Sequence, residues 1–191
     1  MTTATATKRP VPARKPFTLR DATAADVPAI HAIYAHHVLH GRASFEEVPP
    51  TVDDMRLRFA EVHRKNLPYL VAERDGEVLG YAYASAYRTR SAYRFAIEDS
   101  IYIDHRCVGE GLGQALLSAL IARCETGPWR QMVAVVACTA SGEGAGSVAV
   151  HERLGFQTVG RLEAVGYKHG QWIDTVLMQR MLGTGAKTLP E

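Results

Sequence analysis

No apolar run in this 191-residue chain is long enough to cross a bilayer, and no secretory signal pattern is visible. Both absences argue against a membrane or exported protein and predict a cytoplasmic one. Net charge is nearly missing: 22 Lys and Arg against 20 Asp and Glu leave +2. A field able to gather nucleic acid or an anionic membrane needs more than that, so neither is expected as a partner. Cysteine is scarce. Cys107, Cys124 and Cys138 are odd in number and widely spaced, which excludes a disulfide framework and reads as reduced thiols. Cys107 lies in a presumed loop but has no activating neighbour in the sequence. The eight histidines form no metal-ligand pattern. His36 and His40 share a helical face and read as surface residues, so no metal is expected. No internal repeat is present.

What is there fits one globular domain. Hydrophobic residues make up 47% and charged residues 22%, and the length suffices for a core. Much of the basic excess, Lys8, Arg9, Arg14 and Lys15, sits in a Thr/Ala/Pro-rich leader. Residues 1–16 therefore read as a disordered tail, 17–182 as the domain and 183–191 as a flexible C-terminal tail.

Periodicity supplies the elements. Phe17 to Arg20 reads as a strand. Thr23 or Asp26 caps a helix with apolar positions Val27, Ile30, Ile33, Tyr34 and Val38. A loop from Gly41 to Pro50 follows. Thr51 opens a second helix, with Asp54 in the acidic place of a capping box. Tyr69–Glu73 and Val78–Tyr87 form a hairpin around Asp75-Gly76. After a polar loop, Arg88 to Arg94, a central strand runs from Ala96 to Asp104. Leu112 to Cys124 is a third helix. Met132 to Cys138 is wholly apolar and reads as a strand buried on both faces. A Gly/Ser loop, a short helix from Ser147 to Leu154, and strands Gly155–Glu163 and Ile173–Met181 complete the chain. The order is mixed α/β, with strand–helix crossovers at the centre and hairpins at both ends.

The most informative stretch runs from Ser100 to Leu117. A β-branched run stops at Asp104, a loop with Gly109, Gly111 and Gly113 follows, and helical spacing begins at Leu112. Strand, glycine loop and helix start make an anion site: glycine admits close backbone approach, and the helix start offers unpaired N–H groups and a positive dipole end. Gln114-Ala115 denies the Gly-Lys-Ser/Thr of a Walker loop, and Gly-x-Gly-x-Gly is not the dinucleotide spacing. The readings left are a pyrophosphate-bearing acyl carrier, coenzyme A, and a tight turn with no ligand.

Four segments carry a resemblance. Leu70 to Gly80, Glu98 to Ile103, His151 to Phe156 and Gly166 to Asp174, with the glycine loop, resemble the GNAT acetyltransferase superfamily. More narrowly they resemble the phosphinothricin and methionine sulfoximine N-acetyltransferases. The resemblance covers roughly residues 17 to 181. It implies a GNAT fold: a central twisted mixed β-sheet of about seven strands flanked by about four helices. Two departures stand out. Aligned on Gly111 and Gly113, Val108 occupies the Gln/Arg position of the superfamily's loop motif, while Arg106 to Gly111 also fits that motif two residues early; and Gly144 stands where relatives usually place an Asn, three residues before Ser147.

The resemblance implies acetyl-CoA as cofactor and direct acetyl transfer to an amine. Such transfer needs a group to take the ammonium proton. Glu98 is the candidate base; alternation along the strand puts it on one face with Ser100 and Tyr102. His151, four residues after Ser147, is the candidate acid for the leaving thiolate. The coenzyme is expected at Tyr102, Ile103, Val108, Gly109, Glu110, Gly111, Leu112, Gly113, Gln114, Ser147 and His151. The strand at Tyr102 and Ile103 would pair with the pantetheine amides, and backbone N–H groups of Val108 to Gly113 would hold the pyrophosphate. Substrate recognition is expected from Phe45, Arg88, Arg90, Tyr93, Ser100 and Tyr102, because an arginine fork suits a carboxylate. In the family the loop bearing Arg88, Arg90 and Tyr93 reaches a partner's site, so a homodimer is implied. Lys168, His169 and Trp172 read as hairpin and interface structure.

The implied activity is N-acetylation of the α-amine of a small amino-acid-like substrate of the phosphinothricin, methionine sulfoximine or methionine sulfone type. Acetylation of protein N-termini or polyamines is one alternative, which the Arg88/Arg90 loop opposes. A non-catalytic acetyl-CoA-binding module is another, which Glu98 and His151 oppose.

Overall fold

The computed structural model describes residues 15–190; the expected N-terminal tail, 1–16, falls almost wholly outside them. The elements are β1 (Thr18–Asp21), α1 (Val27–His40), α2 (Val52–Arg64), β2 (Tyr69–Arg74), β3 (Glu77–Ala86), β4 (Ala96–Ile103), α3 (Leu112–Glu125), β5 (Gln131–Cys138), α4 (Ala145–Arg153), β6 (Gln157–Lys168) and β7 (Gln171–Met181). Short 3-10 turns lie at Ala24–Asp26, Ser91–Tyr93, His105–Cys107 and Gly185–Lys187. The last falls in the expected C-terminal tail, where Thr184 and Thr188 accept hydrogen bonds from Arg130.

Seven strands form one mixed sheet in the order β1-β2-β3-β4-β5-β7-β6. Only β4 and β5 run parallel, and they share just three ladder pairs, Ala96–Gln131, Ile97–Met132 and Glu98–Val133. Beyond Glu98 the two strands part. β4 stays paired with β3 from Ile97 to Ile103.

Helices α1 and α2 cover one face of the sheet, α3 and α4 the other. In α3 the apolar spacing works as expected: Leu112, Leu116, Leu117 and Leu120 are all at most 1% exposed. Each contributes about 1.5–3 kcal/mol through burial. Thr51 and Asp54 form the expected capping box at the start of α2: Asp54 N–H donates to Thr51 Oγ1, and Thr51 N–H to Asp54 Oδ2. On the α1 side, Tyr34, Tyr69, Tyr81, Tyr83 and Tyr102 make a chain of ring contacts with centroids 4.9–5.9 Å apart.

Two expectations need correction. β5 is buried on one face only; Met132, Ala134, Val136 and Cys138 point inward while Val135 is 41% exposed. β6 runs five residues past its expected end at Glu163. Its register shifts between Leu162 and Gly166, where Ala164 takes φ +51 and its N–H donates to Asp174. That bulge breaks the alternation from which a strand is read. All three cysteines are buried and free. Among the described residues no helix is long and apolar enough to cross a membrane, and no cluster of His, Cys, Asp or Glu is placed to hold a metal ion. His36 instead stacks on His105, ring centroids 3.7 Å apart.

Candidate active site

The site starts where β4 and β5 part. Glu98 belongs to the last pair before the gap, and Ser100 and Tyr102 follow it on the same face of β4. The Glu98 carboxyl is half-buried, and burial first, then the Asp99 charge, raise its pKa above the ordinary glutamate value. Arg88 of the same chain acts in the opposite direction. Tyr102, expected to offer its backbone to the coenzyme, turns it the other way. Asp104 N–H donates to Leu79 and Ala96 C=O accepts from Tyr87, so even-numbered residues of β4 face β3. Ile101 and Ile103 face the gap, and His37 Nε2 donates to the Ile103 carbonyl at 2.7 Å.

The glycine loop begins at Asp104, whose carboxylate accepts from the Arg106 N–H and guanidinium. Hydrogen bonds from Arg106 hold its pKa at about 2. Gly111 caps α3 in the left-handed region, φ +88, where a side chain is strained. Among the described residues, the N–H groups of residues 108–114 have no hydrogen-bond partner. Val108 is 70% exposed and offers no charge. A cation comes instead from β2, where Arg74 donates to Glu110 within the loop. Cys107 is buried, and burial pushes its thiol up, away from the reactive thiolate.

Across the gap, Gly144 caps the start of α4. Its φ is +89, and a Cβ there would lie 2.1 Å from the Ala137 carbonyl oxygen. This path explains why no Asn stands at 144. Ser147 is exposed, but His151 is 3% exposed. Its Nδ1 donates to the Ser147 carbonyl at 2.7 Å and its Nε2 lies 3.0 Å from Asp99 Oδ2. With both ring nitrogens engaged, the ring has no atom to present to a thioester, contrary to the acid expected from the sequence.

On the substrate side, the 41–51 loop is tied down at several points. Lys168 Nζ donates to the Ser44 carbonyl, Tyr34 and Ser44 share a hydroxyl bond, and Arg42 pairs with Glu143 before α4. Lys168 is buried, which lowers its pKa; it braces β6 against this loop, so its setting is interior. Phe45 is 46% exposed and packs over Gly166, where a Cβ would meet its ring at 3.0 Å. Arg88 lies over the Tyr87 ring, and Tyr93 meets the same ring edge-on. Arg90, Tyr93 and Arg88 are all exposed. Phe45, Ser100 and Tyr102 thus sit within the tied body of the domain, and Arg90 and Tyr93 at an exposed loop tip. Asp99, His37 and Arg74 were missed from the sequence; Asp99 alone carried a signal, a carboxylate at an inward position beside Ile97.

Residues 19–177 match the family model for the acetyltransferase (GNAT) domain. The chain belongs to the GNAT acetyltransferase family. This GNAT chain is 58% identical to a phosphinothricin N-acetyltransferase of Alcaligenes faecalis over 94% of its own length and 89% of the relative's. It is 39% identical to an L-methionine sulfoximine/L-methionine sulfone acetyltransferase of Pseudomonas aeruginosa, over 84% and 92%. Among solved structures, a phosphinothricin acetyltransferase from Sinorhizobium meliloti in complex with acetyl-CoA superposes with a TM-score of 0.87 at 48% identity, covering 92% of this chain and 93% of that one. The seven-stranded mixed sheet with four helices is the GNAT fold expected from the sequence.

Proposed function

We propose that the chain is an acetyl-CoA-dependent N-acetyltransferase for the α-amine of phosphinothricin, methionine sulfoximine or a similar amino-acid analogue. The observation that carries the reading is the half-buried Glu98 carboxyl at the mouth of the β4–β5 gap, in a chain so similar to enzymes of that name. Acetyl-CoA enters along the gap, its pantetheine arm against the edge of β4 at Ile101 and Ile103 and beside Ser147. Its pyrophosphate lies on the free N–H groups of residues 108–114, at the positive end of α3.

Glu98 takes one proton from the substrate ammonium, directly or through a water, and a raised pKa suits that task. The freed amine nitrogen attacks the thioester carbonyl carbon and a C–N bond forms; the nitrogen gives its second proton to water, the C–S bond breaks, and coenzyme A leaves as a thiolate that takes its proton from water. His151 is not the acid in this scheme. Phe45, Ser100 and Tyr102 line the amine side. Arg88 serves the Glu98 of its own chain, and Arg90 and Tyr93 reach a second copy's site in a homodimer, where Arg90 binds the substrate carboxylate. The test is thiol release from acetyl-CoA against a panel of phosphinates, sulfoximines, sulfones, ordinary amino acids, polyamines and peptide N-termini. Turnover confined to the last two classes would sink the substrate assignment.

A further inference from the structure

Asp99 and His151 form a buried pair that no step of the transfer uses. Their side chains are 3% and 4% exposed. Asp99 lies one residue beyond the last β4–β5 pair, and His151 is on α4, which follows β5. Their bond therefore crosses between the two halves of the domain at the floor of the gap.

Hydrogen-bond chemistry constrains the protons. The Ser147 carbonyl can only accept, so Nδ1 carries a hydrogen. Nε2 faces a carboxylate oxygen, and that contact is a hydrogen bond only if a proton lies between them. The other carboxylate oxygen, Oδ1, is buried and has no partner among the described residues. Among the described residues the ring is thus the sole counter-charge within bonding reach of this buried carboxylate. Burial alone disfavours a charged ring, but the bond and charge of Asp99 and the Ser147 carbonyl outweigh it, and the net direction for His151 is upward. The other ionisable groups nearby are Glu98 on β4 and, on α3, Cys124 and Glu125, the latter paired with Arg180. Phe156 meets the ring edge-on, and Glu152 and Arg153 on α4 are exposed.

We propose that Asp99 and His151 are a positioning pair, an imidazolium–carboxylate clasp that sets the spacing of α4 from β4 and so the width of the acetyl-CoA cleft. The cleft's occupant rests on the function proposed above; the clasp does not. When the ring loses the Nε2 proton to solvent, a lone pair faces a carboxylate and the bond is lost. Acetyl-CoA binding should therefore hold at neutral pH and weaken as pH rises through the raised His151 pKa. Asp99→Asn reverses this logic, because an amide N–H donates to the neutral ring and needs no extra proton.

The experiment pairs nitrogen NMR of His151 with equilibrium binding of acetyl-CoA across pH. In the natural protein both ring nitrogens should be protonated at pH 7. Asp99→Ala should weaken acetyl-CoA by about tenfold or more, the worth of one charged hydrogen bond. Asp99→Asn should recover most of that loss and show no alkaline decline. A neutral His151 at pH 7 in the natural protein, or the same alkaline profile with Asp and Asn at 99, overturns the clasp. The NMR measurement on the natural protein decides the protonation even if a variant fails to fold. A charged ring in a protein that binds no acetyl-CoA would leave the clasp standing and overturn the proposed function instead.

Discussion

Arg74, at the end of β2, holds the carboxylate of Glu110 in the middle of the glycine loop. The loop's N–H groups suit an anion, so a carboxylate among them competes with a phosphate unless a cation restrains it. Arg74→Ala is expected to weaken acetyl-CoA by about tenfold, the scale of one charged hydrogen bond, and Glu110→Gln in the same chain to restore it. S-acetylpantetheine, which lacks the pyrophosphate, should respond to neither change. Titration calorimetry with both thioesters checks this, and equal losses for the two would place Arg74 outside the phosphate site.

Glu98→Gln keeps the side chain's shape and removes its basicity. The maximal rate should fall by about two to four orders of magnitude, the span of a general base, with acetyl-CoA affinity intact. Glu98 has a raised pKa, so the carboxylate is lost on the acid side first. The natural enzyme should therefore lose kcat/KM as pH falls through that raised value, and the variant should lack this acid limb. Steady-state rates from pH 5 to 9 read both effects; a variant that keeps the limb would assign it to another group.

Arg90→Ala should raise the substrate KM about ten- to a hundredfold, as expected for a charged bonding partner, and leave the acetyl-CoA KM in place. Mixed with Glu98→Gln chains under subunit exchange, it should regain activity, because one site of the mixed dimer then has both groups. Verified heterodimers that stay inactive would confine each site to one chain.

Gly144→Asn introduces the residue that the family resemblance leads one to expect and should harm this chain. Asn tolerates positive φ better than most residues, but its Cβ would sit 2.1 Å from the Ala137 oxygen. A cost of about 1–3 kcal/mol follows from such strain, visible as a lowered Tm. An unchanged Tm would mean that the loop before α4 has room to move.

The fold was readable wherever burial follows a simple period. α3 and the β2–β3 hairpin came out within a residue or two, because α3 buries one apolar face, β2 and β3 are continuous buried apolar runs, and the turn residues mark the ends. The end of β6 did not, since the bulge at Ala164 shifts the alternation. The candidate site divides the same way. The glycine loop stands on a local pattern, and Glu98 on the family resemblance joined to strand alternation. The pairings Asp99–His151, His37–Ile103 and Arg74–Glu110 join residues 36 to 66 positions apart. No local pattern encodes them, and they depend on how strands are ordered in the sheet. His151 shows the limit most clearly: its place on a helical face was legible, and the carboxylate waiting across the sheet was not.

The single parallel join also has a mechanical meaning. With only three pairs between β4 and β5, the sheet is two antiparallel halves held by a short seam. A ligand lying along the open part of that seam would act as a suture, adding backbone bonds where the protein has none. Amides near the parting should then exchange hydrogen readily in the empty protein and become protected together, on both banks, when the seam is filled.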